Sequence, residues 1–182
     1  MYVADQMYTE MKDLEARIAQ LEVRDAASVA EYFRLYTLLI YNYKWLGSLY
    51  DIYDGNAFIL RGNGAKLNGA AEMVRDTTEL LSAFPDLVLS MADIFAVRCD
   101  KGYKLYRRFY LDGTNLGYSR YGAPTGKALE GKKAICQGMA TLEQRDGQWM
   151  ITYEYLMYAD EGMRQVCTPD RTGFRDKQTG DA

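Results

Sequence analysis

The sequence predicts one α+β domain in which N-terminal helices cover one face of a strongly curved antiparallel sheet. Helical periodicity is confined to the part of the chain before Pro85, and strand-like runs make up most of the remainder. Helices followed by strands is the order expected of the α+β class. Two turn signals, Ala-Pro-Thr-Gly at 123–126 and Arg-Asp-Gly-Gln at 145–148, are typical of hairpins and so predict antiparallel neighbours.

The first helix is predicted from an apolar seam whose members alternate at steps of four and three residues. The seam consists of Met7, Met11, Leu14, Ile18 and Leu21. About five turns is short for a free coiled coil, so we expect this helix to pack on its own domain or on a partner subunit. We take residues 1–24 as a helical extension that precedes the main domain.

Two further helical segments follow the extension. The first carries apolar side chains at helical spacing from Val29 to Ile40, and the second, residues 43–53, is predicted to end at the turn signal Asp54-Gly55-Asn56. A short strand is expected at 57–62, where the segment Ala-Phe-Ile-Leu-Arg-Gly is mainly apolar.

A fourth helix is predicted at 69–84, with Asn68 as its N-cap and Pro85 as its stop. The remaining apolar runs read as four longer strands, at 87–97, 103–113, 132–144 and 150–159. The main domain then covers residues 25–166, and the polar segment 167–182 is predicted to be a tail.

The composition limits the possible partners and chemistry of this 182-residue chain. A net charge of −3 offers no basic face to nucleic acid or to an anionic membrane, and no apolar run approaches the roughly 18 residues that span a bilayer. The three cysteines are odd in number and widely spaced, which is typical of reduced thiols in the cytoplasm.

The absence of histidine excludes every catalytic unit that depends on an imidazole. The cysteines also lack the spacing of a zinc site, so we expect no metal and no cofactor. Acid–base chemistry therefore falls to Asp, Glu, Lys, Tyr or Cys. The 16 tyrosines suit an apolar ligand that carries a few oxygens, although most of them are expected to be core-edge or interface residues.

Glu154 is the one carboxylate in the middle of the last apolar strand. Strict alternation places Thr152, Glu154 and Leu156 on one face of that strand. The opposite face is continuously apolar and carries Trp149, Ile151, Tyr153, Tyr155 and Met157. The mixed face could line a cavity, face water or form a dimer interface.

Two adjacent arginines in the strand at 103–113 are candidates to accompany Glu154. Arg107 falls on an otherwise apolar face, so it needs a buried partner or a ligand anion, or it extends out to water. Glu154 is a conceivable partner for Arg107 or Arg108. A purely structural ion pair is the alternative to a role in a binding site.

The element order, together with four short motifs, resembles the nuclear transport factor 2-like (cystatin-like) fold and, within it, the SnoaL-like polyketide cyclase family. The motifs are Ala-Phe-Pro-Asp at 83–86, Leu-Asp-Gly-Thr-Asn at 111–115, Pro-Thr-Gly at 124–126 and the strand glycine Gly138. The resemblance covers roughly residues 30–165. It implies a cone formed by helices packed on a strongly curved sheet.

The resemblance also implies candidate site residues. The family's acid–base aspartate falls on Glu154, its two histidine positions fall on Thr152 and Asn115, and Arg108 matches an arginine common in the family. The more distant ketosteroid isomerases share the fold. Their substrate-binding tyrosine falls near Tyr36, one helical turn from Tyr32, and their catalytic base position falls near Arg61, which is no base at neutral pH but could bind a carboxylate or enolate oxygen.

A second resemblance is to bile-acid 7α-dehydratases, which share this fold. It is carried by Tyr-Phe-Arg at 32–34, by residues 146–151 and 158–164, and by the helix at 14–22. The catalytic histidine of those enzymes has no counterpart in this chain, so their route to dehydration is not implied.

Together these features predict a cofactor-independent enzyme that acts on a small, apolar, oxygenated ring substrate. Glu154 is its expected acid–base, and cyclisation, isomerisation and elimination are all compatible with such chemistry. The expected substrate-binding residues are Tyr32, Tyr36, Arg61, Arg108 and Asn115. The alternative is a non-catalytic ligand-binding or assembly domain of the same fold. We also expect a homo-oligomer, most simply a dimer, because the seam of the first helix is short and tyrosine is in surplus.

Overall fold

The computed structural model describes residues 3–120, 122–130 and 134–169, which form five helices and a strongly curved sheet of seven strands. The helices are α1 Val3–Gln20, α2 Ala26–Asn42, α3 Leu49–Ile52, α4 Gly69–Ala83 and α5 Asp160–Cys167. The strands are β1 Tyr53–Arg61, β2 Lys66–Asn68, β3 Val88–Cys99, β4 Gly102–Thr114, β5 Ala128–Leu129, β6 Ile135–Arg145 and β7 Gln148–Met157. This confirms the predicted α+β cone.

The sheet is mixed rather than purely antiparallel, which corrects one detail of the predicted class. Its strand order is β2-β1-β7-β6-β4-β3, and β5 pairs with β4 outside that path. All pairs are antiparallel except β1 and β7, which run parallel at the centre of the sheet. The parallel pair arises because the long connection between these strands returns the chain to the same end of the sheet.

Helix α1 packs on α2 of its own chain, which was one of the two predicted arrangements. Met11 and Leu14 are buried against Leu35 and Leu39 of α2. Helix α2 starts at a reciprocal cap, in which the Asp25 carboxylate accepts the Ser28 backbone N–H and the Ser28 hydroxyl accepts the Asp25 backbone N–H. Its other face supplies much of the main core.

The third predicted helix is mostly wrong. Residues 46–48 form one 3₁₀ turn, α3 is a single turn, and β1 begins at Tyr53, four residues before the predicted strand. The turn signal is real, because the Asp54 carboxylate accepts the backbone N–H of Asn56 at 2.7 Å. It does not end the strand but makes a bulge inside β1. Tyr53 pairs with Ile151 and Phe58 with Tyr153, so five residues of advance along β1 match only two along β7.

The two turn signals behave differently. Asp146 and Gly147 both have positive φ, 49° and 85°, and they close the β6–β7 hairpin as predicted. Ala-Pro-Thr-Gly does not close a tight hairpin. It lies in the loop between β4 and β5, where Gly126 at φ 72° leads into the short β5, which pairs back onto the end of β4.

Helix α5 was not predicted and covers part of the core next to the last strand. Its Met163 and Cys167 are buried in the core. The helix ends at Cys167, one residue beyond the predicted domain limit at 166. Residues 170–182 of the predicted tail lie outside the described residues. None of the helices in the described ranges combines the length and apolarity needed to cross a bilayer.

Candidate active site

An extra residue in β7 precedes Glu154, whose side chain faces the core. Thr141 of β6 pairs with Tyr153 and Leu142 pairs with Ile151, so Thr152 is left without a partner in the ladder. This bulge breaks the strict alternation of the strand, and Ile151 therefore lies on the same buried face as Glu154. The predicted face assignment is wrong for Ile151 and Thr152 but correct for Glu154 and Leu156.

The Glu154 carboxylate is fully buried, with 0% of the side chain exposed, and two neighbours donate hydrogen bonds to it. The Arg107 guanidinium forms an ion pair with Oε1, and the Tyr53 hydroxyl donates to Oε2 at 2.8 Å. Arg107 comes from β4 and Tyr53 from the start of β1, so three strands converge on one carboxylate. Of the two predicted partner arginines, the structure selects Arg107.

Arg61 approaches the same carboxylate from the other side. Its Nη1 lies 3.7 Å from Oε2 of Glu154, while its Nη2 donates to Asp76 Oδ2 at 2.7 Å. The guanidinium also stacks over the ring of Tyr158, at 5.0 Å from the centroid. Arg61 and Arg107, with Glu154 and Asp76, are the buried charged residues of the described chain, and together they are electrically neutral.

The ionic network reaches the surface through Asp76. This α4 carboxylate forms a second ion pair with Arg120, from the loop after β4, and Arg120 also contacts Glu79 at 2.8 Å. Burial alone would raise the pKa of Asp76, but Arg61 and Arg120 outweigh burial and hold the pKa below its ordinary value. Asp76 is therefore an anion at neutral pH.

The basic and phenolic members of the site keep their protons at neutral pH. Burial opposes the charge of Arg107, but the adjacent Glu154 more than compensates and raises the Arg107 pKa. Burial, reinforced by the charge of Glu154, raises the Tyr53 pKa well above its ordinary value. The Glu154 carboxylate therefore lies among groups that donate hydrogen bonds.

Several of these donors have no acceptor among the described residues. They are Nε and Nη1 of Arg61 and Nε and Nη1 of Arg107. A buried donor without a partner costs about 1–3 kcal/mol, so such groups favour an oxygen that can accept from them. Because the guanidinium groups supply only donors, they suit the oxygen atoms of a ligand or water rather than a cation.

Two small cavities adjoin the network. The outer cavity, about 20 Å³, is lined by Arg61, Asp76, Arg120, Tyr158 and Met163 together with apolar residues of α4. The inner cavity, about 10 Å³, lies between α2 and the sheet and is lined among others by Phe33, Tyr41, Tyr53, Phe109 and Arg107. Each has room for about one water molecule, so a ring-sized ligand enters only if neighbouring side chains move apart.

The predicted tyrosines of α2 do not face this network. The Tyr32 hydroxyl donates to the backbone oxygen of Trp149 at 3.3 Å, and the Tyr36 ring packs edge-on against Tyr32. Neither residue lines the inner or the outer cavity. Burial raises the pKa of both phenols.

Arg108 and Asn115 also lie apart from Glu154. Arg108 is on the outer face of the sheet, half-exposed and paired with Asp93. Asn115 is buried, and its amide is fully engaged by the loop after β4, since it accepts the Thr125 backbone N–H at 2.9 Å and donates to the Gly117 carbonyl at 3.1 Å. Of the five predicted substrate-binding residues, the structure brings only Arg61 next to Glu154.

Four residues of the site are not among the sequence candidates: Tyr53, Tyr41, Tyr158 and Asp76. The sequence pattern predicts a helix that ends at Tyr53, whereas the structure places this residue at the start of β1. Asp76 carried a usable signal, because it lies three residues after Met73 on the apolar face of α4, where an unpaired carboxylate is costly. Tyr41 and Tyr158 meet through hydroxyl groups 3.1 Å apart, a contact between distant segments that no local pattern indicates.

The motifs that carried the family resemblance contact one another at the end of β4. The Asp86 carboxylate accepts the Thr114 backbone N–H at 2.7 Å and the Thr114 hydroxyl at 2.8 Å. Thr125 donates to the Val166 carbonyl at 2.7 Å, which ties its loop to α5. Gly138 lies opposite Leu156 of β7, where an added Cβ would clash with the Tyr155 carbonyl.

Within the described ranges, no three Asp, Glu or Cys side chains are grouped as metal ligands. Comparison of the sequence with family models and with curated proteins gives no match. Comparison of the structure gives many. TsrD from Streptomyces laurentii is similar over 80% of this chain and 98% of its own, with a TM-score of 0.61 and 18% identity.

Two further solved structures show the same likeness. One is described as a SnoaL-like polyketide cyclase from Jannaschia sp. CCS1, with a TM-score of 0.60 and 11% identity over 80% of this chain and 97% of the other. The second is described as a dehydratase of the NTF2-like family from Streptomyces avermitilis, with a TM-score of 0.56 and 7% identity over 74% and 98%. The chain therefore has the nuclear transport factor 2-like fold, in the form shared with the structure described as a SnoaL-like polyketide cyclase.

Proposed function

We propose that this chain is a cofactor-independent enzyme that removes a proton beside the carbonyl group of a compact, apolar ring compound. The observation that supports this function best is the fully buried carboxylate of Glu154, which lies beside arginine N–H groups that lack acceptors among the described residues. Similar structures described as a cyclase and as a dehydratase are consistent with an enzyme of this kind. Likeness at this level of identity gives the fold alone, so the proposal depends on the site.

Glu154 is the acid–base in this proposal. Arg107 and Tyr53 each occupy one position on the carboxylate, whose two oxygens offer about four acceptor positions, so capacity remains for a carbon-bound proton. The electron pair of the broken C–H bond moves onto the carbonyl oxygen and gives an enolate. The N–H groups of Arg61 hold that oxygen. The same enolate leads to ring closure, to isomerisation by return of the proton elsewhere, or to elimination of a leaving group.

A specific observation favours a second candidate, a non-catalytic ligand-binding or assembly domain. The two cavities hold about 20 and 10 Å³, and Glu154 already has a strong partner in Arg107. In that case the network is a structural ion-pair cluster, and replacing Glu154 changes stability but no reaction.

Deuterium exchange distinguishes the two candidates without knowledge of the natural substrate. We would incubate the protein in D₂O with cyclohexanone, cyclohex-2-enone or 2-tetralone and follow loss of the protons beside the carbonyl by NMR. The enzyme should accelerate exchange for at least one ketone. Glu154→Gln should lower that rate by about 10²–10⁴-fold, the usual contribution of a positioned acid–base.

Two variants control this measurement. Glu143→Gln removes a carboxylate that pairs with Arg145 at the far end of β6 and should leave exchange unchanged. Glu154→Asp keeps the charge that Arg107 requires and should preserve the fold while slowing exchange. Equal exchange rates for the wild-type protein and a folded Glu154→Gln variant would exclude Glu154 as the acid–base and leave the binding domain.

We also propose that the chain forms a homodimer through the outer face of the sheet. Phe95 and Tyr106 stack there at 5.2 Å and are exposed, beside a shallow groove of about 500 Å³ that Met157 also lines. Asp93 and Arg108 lie on the same face and neutralise each other, so this pair adds no net charge that would repel a second copy across a two-fold axis. Cys99 and Cys167 are free thiols, which fits a reducing compartment such as the cytoplasm.

A further inference from the structure

A pair of tyrosine hydroxyls separates the inner cavity from the outer one. Tyr41 lines the inner cavity, Tyr158 lines the outer cavity, and their oxygens are 3.1 Å apart. The Tyr158 ring covers the Arg61 guanidinium, whose Nη1 lies 3.7 Å from Glu154. Tyr158 thus contacts Tyr41 through its hydroxyl and Arg61 through its ring, and Arg61 in turn approaches Glu154.

Tyr41, Tyr158 and Arg61 offer more donors than acceptors. Two hydroxyls that share one hydrogen bond use one of their two hydrogens, so one remains available to donate. Nε and Nη1 of Arg61 also have no acceptor in the described part of the chain, and this side chain is 3% exposed. Burial raises the pKa of both phenols above the ordinary value, so both stay protonated at neutral pH.

We infer that Tyr41, Tyr158 and Arg61 bind the carbonyl oxygen of a neutral ketone or ester. A carbonyl oxygen accepts two hydrogen bonds and donates none, which matches the surplus of donors. The four buried charges already balance, so a neutral ligand adds no uncompensated charge to the interior, whereas a carboxylate or an ammonium group does. The carbonyl oxygen enters by separating the two phenols and joins the cavities into one chamber.

The inference rests on the proposed function for the class of its ligand, but it does not require Glu154 to act as a base. It differs from the sequence expectation because Tyr41 and Tyr158, and not Tyr32 and Tyr36, provide the hydroxyl groups. The inference also gives the orientation of the ligand. Arg61 lies next to Glu154 and binds the carbonyl oxygen, so the carbon next to the carbonyl lies beside Glu154.

The test uses cyclohexanone labelled with carbon-13 at its carbonyl, observed by isotope-edited infrared spectroscopy. Hydrogen bonds to the oxygen should lower the carbonyl stretching frequency of the bound ketone relative to the free ketone. Tyr158→Phe and Tyr41→Phe should each reverse part of that shift and weaken binding by roughly 3- to 10-fold. Tyr103→Phe, a buried tyrosine that packs on Trp149 away from both cavities, should change neither quantity.

Charge is tested with two ring compounds of similar size. Cyclohexanecarboxylate and cyclohexylamine should bind more weakly than cyclohexanone. Tighter binding of either, no binding of the ketone at millimolar concentration, or an unchanged carbonyl frequency in both folded tyrosine variants would overturn the inference.

Glu154→Gln separates this inference from the proposed function. A variant that keeps the carbonyl shift but loses deuterium exchange supports both. If exchange survives in Glu154→Gln while the tyrosine variants lose the shift, the oxygen site stands and the catalytic role of Glu154 fails. If exchange depends on Glu154 and the shift does not depend on the tyrosines, the oxygen site fails alone.

Discussion

Glu154 and Arg107 form an ion pair in which the two side chains are 0% and 5% exposed. Arg107 is held further by the Phe33 ring, 4.5 Å from the guanidinium carbon. A buried ion pair of this kind is weak evidence for stability, because both charges are taken out of water, but loss of one partner leaves the other uncompensated. This asymmetry governs how variants of either residue should behave.

Glu154→Gln should lower the free energy of unfolding by about 3–5 kcal/mol, because Arg107 is then a buried charge without its principal partner. The double variant Glu154→Gln with Arg107→Met should recover much of the loss. Urea denaturation measures both.

An exposed arginine provides the control for that comparison. Arg145 is half-exposed and pairs with Glu143, so Arg145→Met should change stability by less than about 1 kcal/mol. If Arg107→Met and Arg145→Met have equal effects, the buried pair carries no special energetic role.

Acid should destabilise the protein in part through Asp76. Its folded pKa lies below the unfolded value because of Arg61 and Arg120, so the unfolded chain binds more protons in acid. The stabilisation of the folded state by ionised Asp76 is fully present above the unfolded pKa of about 4 and is lost as the pH falls through the folded pKa. Asp76→Asn should therefore be less stable at neutral pH and less sensitive to acid. Urea unfolding at several pH values from neutral to acidic gives the slope of unfolding free energy against pH for the wild-type protein and for Asp76→Asn. Equal slopes for the two proteins would contradict this role of Asp76.

Alkali should destabilise the protein through its buried phenols. Tyr41, Tyr53 and Tyr158 have folded pKa values above the ordinary one, chiefly because of burial. Their contribution to stability is present below the unfolded pKa of about 10 and is lost as the pH rises above it. Tyrosinate absorbance of these groups should therefore appear together with loss of near-ultraviolet circular dichroism. Ionisation of all tyrosines before unfolding would show that the three phenols are accessible to water.

Phe95→Lys should weaken association of the chain with itself. The side chain is 56% exposed on the outer face of the edge strand β3, so the folded subunit tolerates a lysine there, while a dimer through this face would bury two new charges. Sedimentation velocity should show a dimer for the wild-type chain and a larger monomer fraction for the variant. Tyr118→Lys, at an exposed loop position outside the strands, is the matched control. A monomeric wild-type chain at micromolar concentration would refute the dimer.

The sequence was informative where one local pattern decides the outcome. The β6–β7 hairpin follows from Asp146 and Gly147, because few other residue pairs adopt two positive φ angles. The need of Arg107 for a buried partner follows from its place in an apolar alternation, and Glu154 was correctly among its possible partners.

Prediction failed where the decision depends on tertiary pairing. Thr152 carries no mark of a bulge, since the extra residue exists only relative to the partner strand β6. Tyr53 follows a helical segment and precedes a turn signal, and only its pairing with β7 makes it a strand residue.

The parallel pairing of β1 with β7 sets the order in which this domain can mature. Tyr53 and Glu154 are 101 positions apart, and the carboxylate arrives on the last of the seven described strands to be synthesised. Until then, β1 and β6 each present an open edge in the middle of the future sheet, and Arg107 has no Glu154 to pair with. Contacts this distant in sequence slow folding and leave incomplete chains prone to aggregate. The structure thus makes the final strand both the closing element of the domain and the last component of its polar centre.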